Sequence, residues 1–169
     1  MNKALHAIVY LILALAGAAL YFEMNIFEKR NLQNDSITQL AEYIVFDAPL
    51  TMLCDSPSNY RQEPECTRFI ASIPTVWDET IALEGKIAQY VVIARRSGSK
   101  WYVGALGNWD ERDLDIDLSR LGIGPKEGEV YVDGVNADRA ARDYRHETVS
   151  VNGTWKVHLA PGGGAILVL

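Results

Sequence analysis

A chain of 169 residues holds one domain with a sizeable core, or a small domain with an appendage. Hydrophobic residues make up 49% of it, and the formal charge is −6 with no run of Lys or Arg. That composition is globular, and it excludes a basic surface for nucleic acid. No repeat of solenoid length recurs along the chain.

The stretch ALHAIVYLILALAGAALYF, residues 4–22, carries no Asp, Glu, Lys or Arg. Its length suits a helix crossing a hydrocarbon layer of about 30 Å. Lys3 precedes it, and Ala16, Gly17, Ala18 and Ala19 sit near its end. That pattern fits a secretory signal peptide cleaved near Ala18 or Ala19. The apolar part is long for a signal peptide, so an uncleaved anchor is the second reading, and a buried core helix is the third. The first two predict a secreted, periplasmic or membrane-anchored protein, with membrane contact through residues 4–22. FEMNIFEKRNLQND then turns charged and polar, so residues 1–35 read as an apolar helix and linker.

Residues 36–80 read as helix, short strand, helix. In NDSITQLAEYIVF, Asp35 or Ser36 supplies an N-cap, and Leu40, Ile44 and Val45 follow at helical spacing, broadened by Ile37 and Tyr43. Pro49 stops that helix. PLTMLC is an apolar run of strand length, and DSPSNY reads as a polar loop after it. The order is that of an α/β unit. Asp55 and Ser56 fall just past the strand's C-terminal end, the edge that carries the chemistry in open α/β sheets and barrels. A second helix is expected from about Glu63 to Ser72, with Pro64 in its first turn and Pro74 beyond its end.

After Pro74 the periodicity changes to two. QYVVIARR and KWYVGAL flank SGS, a short hairpin connection. RDLDIDL alternates strictly, with Leu114, Ile116 and Leu118 on one face and Asp113, Asp115 and Asp117 on the other. GEVYVDGVN holds a strand and an Asp133–Gly134 turn. HETVSVNGTWKVHL reads as two strands around Asn152–Gly153, a strong hairpin signal. APGGGAILVL ends in a glycine bend and a strand. Short strands at this spacing predict an antiparallel β-sandwich over residues 81–169. The fold class is therefore mainly β.

Few residues suggest chemistry. Trp77, Asp78 and Glu79 sit where helical periodicity gives way to strands. They read either as a carboxylate cluster beside an aromatic sugar platform or as a hinge. Adjacent carboxylates on an extended chain point to opposite faces, which disfavours a shared bond between them. The aspartates of DLDIDL do not form a calcium loop, because such a loop curls its oxygens about one point. Cys54 and Cys66 have neither metal-ligand nor redox spacing. They read as two thiols, or as a disulfide in an oxidising compartment. His146 and His158 show no partners in sequence. APGGGA precedes a strand and lacks the Lys-Ser/Thr of a phosphate loop. Trp77, Trp101, Trp109 and Trp155 read as core residues rather than sugar platforms.

From EYIVFDAPLTMLCDSPSNY through ECTRFIASIPTVWDETIALEGKIAQYVVIARRSGSKWYVGALGNW to DGVNADRAARDY and LAPGGGAILVL, the chain resembles the tail of glycoside hydrolase family 97. The resemblance covers about residues 37–169. That family contains bacterial α-glucosidases and α-galactosidases built from an N-terminal β-sandwich, a central (β/α)8 barrel and a small C-terminal β-sandwich. By resemblance, residues 37–73 are the last unit of the barrel and PLTMLC is its last strand. Asp55 then stands at the substrate-facing rim, and TVWDETIALEGK is the crossing into the sandwich. The family's catalytic carboxylates and calcium-binding glutamates lie on earlier segments with no counterpart in these 169 residues. The resemblance thus implies no catalytic residue, no metal ligand and no cofactor in this chain. It implies a fragment, from a truncated or rearranged gene or from a gene model with an unrelated apolar start, inactive alone, whose sandwich packs or forms a homo-oligomer. A membrane-tethered carbohydrate-binding or interaction module is the alternative, and a concave aromatic strip would favour it.

Overall fold

The computed structural model describes residues 35–48, 56–137 and 143–169. The apolar segment 4–22, the expected strand PLTMLC, Cys54 and Asp55 lie outside the described residues. Among the described residues no helix is long and apolar enough to cross a membrane.

Among the described residues three helices come first: α1 (Asp35–Val45), α2 (Pro57–Gln62) and α3 (Pro64–Ser72). Eight strands follow: β1 (Glu79–Lys86), β2 (Tyr90–Ser97), β3 (Lys100–Gly107), β4 (Arg112–Asp117), β5 (Lys126–Asp133), β6 (Tyr144–Val151), β7 (Thr154–Leu159) and β8 (Gly164–Val168). Helix α2 occupies residues expected to be a polar loop. Pro57 is its first residue, where a fixed φ suits a helix start and no amide is lost.

The strands form two antiparallel sheets. The larger has the order β1-β2-β3-β8-β5-β6, and the smaller is the pair β4-β7. Period two on β3 explains the layering. Trp101, Val103 and Ala105 enter the core facing β4 and β7, while Tyr102 and Leu106 face the helices. Strand β8 divides in the same way, with Ala165 and Leu167 on one side and Ile166 on the other. The six-stranded sheet is thus covered on both faces, and its central strands read as continuous apolar runs. Burying side chains such as Ile166 or Leu167 contributes about 1.5–3 kcal/mol each.

On β4 the alternation behaves as expected. Leu114, Ile116 and Leu118 are buried, and the three aspartates are exposed. Each aspartate has its own neighbour: Asp113 bonds His158 Nδ1 at 2.8 Å, Asp115 lies 3.5 Å from Lys156 Nζ, and Asp117 accepts the Ser119 amide at 2.8 Å.

The hairpin expected at Asn152–Gly153 is not there. Strand β6 pairs with β5 in the large sheet, whereas β7 pairs with β4 in the small one. Gly153, at φ +75°, turns the corner between sheets. Side-chain parity gives the reason. A two-residue hairpin would set Val151 opposite Thr154 and Val149 opposite Lys156, leaving Trp155, Val157 and Leu159 on the other face. Crossing between sheets lets both sets meet in one core.

The helix layer is fastened by close backbone approach. A Cβ on Gly164 would lie 2.9 Å from Thr38 Cα and 3.1 Å from the Ile37 carbonyl oxygen. Close by, the Thr38 hydroxyl donates to the Gly162 carbonyl at 2.9 Å. Gly164→Ala should therefore push α1 off the sheet and destabilise the fold by about 1–2 kcal/mol, read from urea unfolding. An unchanged midpoint would mean that α1 moves without loss.

Candidate functional site

Trp77, Asp78 and Glu79 lie directly before and at the start of β1, and their contacts are local. The Asp78 carboxylate accepts the Gly98 amide at 2.7 Å, and Glu79 pairs with Arg96 at 3.2 Å. The Trp77 ring meets Tyr102 edge-on at 5.4 Å, with the Arg95 guanidinium 5.8 Å from its centroid. Arg95 is buried at 4% exposure and bonds Asp47 at 3.1 Å and the Val45 carbonyl at 3.2 Å, closing the C-terminal end of α1. These residues join the helix layer to the sheet. None of Trp77, Asp78 and Glu79 lines the hollow beside α3 or the one beside Asp133.

A hollow of about 380 Å³ does open between α3 and the sheet. Its lining includes the imidazole of His146, stacked on Tyr131 with ring centroids 4.1 Å apart. Glu65 reaches up from the first turn of α3. One of its oxygens bonds His146 Nδ1, and the other accepts the Tyr144 hydroxyl at 3.0 Å. The His146 bond, followed by that from Tyr144, holds the Glu65 carboxyl below its ordinary pKa. Burial pushes the Tyr131 phenol up to about 12 and also raises that of Tyr144. On the far side of the ring, Glu129 approaches Nε2 at 3.9 Å. Glycoside cleavage needs two carboxyls about 5–10 Å apart with the scissile bond between them. Here the imidazole fills the space between Glu65 and Glu129, so no glycosidic oxygen can occupy it.

A second hollow of about 400 Å³ lies beside Asp133, Glu111, Arg145 and His158. Burial pushes the Asp133 carboxyl up to about 6. Its Oδ2 accepts the Ala160 amide at 3.1 Å, and the α-carbon of Gly163 packs so closely that a Cβ there would sit 1.9 Å from that oxygen. This carboxyl ties the β7–β8 loop to the end of β5.

Among the described residues, no group of three or more His, Cys, Asp or Glu side chains could hold a metal ion. The acidic side chains of β4 are each engaged with a separate neighbour, so they do not fit a calcium cage. Cys66 is a buried free thiol, and burial raises its pKa. Asp55, the one residue expected at a substrate-facing rim, lies outside the described residues. Both histidines without sequence partners have structural ones: Glu65 and Glu129 for His146, Asp113 for His158. Strand pairing brings Glu129 and Asp113 to the histidines, and the packing of α3 on the sheet brings Glu65. Trp101 and Trp155 are core residues as expected, but Trp109 is 56% exposed. It sits in the bend after β3, where no strand alternation assigns it a side.

The scaffold that carries these groups is a two-sheet antiparallel β-sandwich. Residues 76–169 match the family described as "Glycosyl-hydrolase 97 C-terminal, oligomerisation". The chain belongs to that family. It is 53% identical over 137 residues to a retaining α-galactosidase of Bacteroides thetaiotaomicron, covering 80% of this chain and 21% of that protein. A probable retaining α-galactosidase of Streptomyces bingchenggensis is 27% identical over 96 residues, 57% of this chain and 15% of its own length. Among solved structures, a glycoside hydrolase family 97 enzyme from Pseudoalteromonas sp. strain K8, in complex with acarbose, superposes with a TM-score of 0.72 at 31% identity. That match covers 80% of this chain and 22% of the enzyme. The chain thus spans about a fifth of the length of the Bacteroides and Pseudoalteromonas proteins.

Proposed function

We propose that these 169 residues act as the C-terminal part of a family 97 α-glycosidase of the α-galactosidase type. The chain hydrolyses no glycoside alone, and its sandwich is a packing and oligomerisation module. The identity of 53% to a retaining α-galactosidase carries this reading. The local pairing of Asp78 and Glu79, and the filled space between Glu65 and Glu129, support it. So does the burial of Trp101 and Trp155, which takes both rings away from any aromatic strip that could serve a separate sugar-binding role.

Purified chain should leave nitrophenyl α-galactoside and α-glucoside intact, with or without added calcium. A general acid needs burial or a neighbouring charge to hold its proton, and a second carboxyl across the bond. Asp55→Asn is the control. Turnover by the wild type that disappears in this variant would make the chain a minimal enzyme.

A further inference from the structure

The oligomerisation role proposed for the sandwich, on which this inference rests, requires a surface and a register. Strands β1 and β6 end the six-stranded sheet. Strand β1 is a poor template for further pairing. Its ladder is irregular between Ala82 and Glu84, and Arg120 Nη1 donates to the Ala82 carbonyl at 2.6 Å. A bulge and a blocked carbonyl are common ways of closing a sheet edge.

Strand β6 has neither feature. It pairs with β5 without interruption from Lys126↔Val151 to Asp133↔Tyr144, and among the described residues it pairs with nothing else. The Gly134 amide donates to the Asp143 carbonyl at 2.7 Å, which fixes the alternation. Residues 145, 147, 149 and 151 turn their main-chain groups toward β5. Tyr144, His146, Thr148 and Ser150 turn theirs outward. Arg145 and Glu147 project from one face, 3.6 Å apart and about half exposed.

We propose that β6 pairs antiparallel with β6 of a second copy of this chain, about a two-fold axis at His146. The two six-stranded sheets then become one. Charge selects this register. A two-fold perpendicular to the sheet keeps like faces together, so the axis must pass through a residue. At Arg145 it would oppose two arginines, and at Glu147 two glutamates. At Thr148 both charges would meet valines. At His146, Arg145 faces Glu147 of the second copy, and Glu147 faces its Arg145. Those residues then occupy the close, non-hydrogen-bonded positions, where opposite charges help and like charges oppose pairing. Tyr144, His146 and Thr148 supply the main-chain hydrogen bonds. The stacked rings of Tyr131 and His146 continue into their counterparts across the axis.

The test is sedimentation of the full chain in density-matched non-ionic detergent. Wild type should form dimers. Glu147→Arg and Arg145→Glu should each weaken self-association by roughly tenfold or more, because both cross-axis contacts become repulsive. An equal mixture of the two variants should form a heterodimer, since each then meets opposite charge. A wild-type dimer left intact by both substitutions would overturn the β6 interface and leave the oligomerisation reading standing. Variants that stay apart even when mixed would overturn the interface as well. A wild type that is monomeric at every concentration would remove both.

Discussion

Trp155→Ala should lower the unfolding free energy by about 3–5 kcal/mol, the largest loss expected from any single side chain here. Trp155 is 4% exposed and stands opposite Ile116, itself fully buried, in the β4-β7 pair. A lone two-stranded ribbon is marginal in water. This one holds its place only by setting Leu114, Ile116, Trp155, Val157 and Leu159 against the large sheet. Removing the indole deletes the biggest of those side chains and leaves a cavity that so short a sheet can fill only by tilting. Asp115→Ala, on the outer face of the same ribbon, should change stability by less than about 0.5 kcal/mol. Urea unfolding of both variants measures the contrast. Equal losses would mean that the smaller sheet is not held by its inner face.

The second large effect is a pH dependence at Asp133. Its carboxyl titrates near 6 in the folded chain, against an ordinary 3.8, because the surroundings disfavour the charge. The folded state therefore binds the proton more tightly than the unfolded state. The resulting stabilisation is fully present below pH 3.8 and is lost as pH rises through about 6. It amounts to about 2–3 kcal/mol. The groups around the carboxyl are Glu111, Arg145 and His158, with the amides of Ala160 on the loop and Gly164 at the start of β8. Asp133→Asn keeps an acceptor for the Ala160 amide and cannot ionise. The stability of the variant relative to wild type should thus rise by about 2–3 kcal/mol from pH 4 to pH 7.5. A difference that stays level across that range would place the proton linkage elsewhere.

Much of the sandwich is legible in the sequence because period two is a strong constraint. Once Leu114, Ile116 and Leu118 alternate with aspartates, only one face can be buried without enclosing three charges. The same parity, applied across Asn152–Gly153, contains the warning that the turn joins two sheets. The dipeptide is a local signal, and it says nothing about which strand lies alongside. Helix α2 is hidden because its six residues, PSNYRQ, offer no apolar stripe. The polar network of the α3 hollow is illegible for another reason. Glu65 and His146 are 81 residues apart, and only the packing of α3 on the outer face of β5 and β6 brings them together. Trp77, Asp78 and Glu79 are readable as a junction, since the periodicity changes at that point.

The placement of β8 bears on how the molecule is made. Strands β3 and β5 are joined only through β8, which lies between them at the centre of the large sheet. On the ribosome, β8 is the last of the described strands to emerge. Until then the large sheet exists only as two separate ribbons, β1-β2-β3 and β5-β6, each with an open inner edge and apolar faces. Such edges invite pairing with other chains. Helix α1 has no finished surface to rest on either, because Gly164 and Ile166 of β8 form part of its seat. Folding of this unit is consequently deferred until β8 has left the ribosome. A ribosome that stalls before Gly164 releases a product with no central strand and with two open sheet edges.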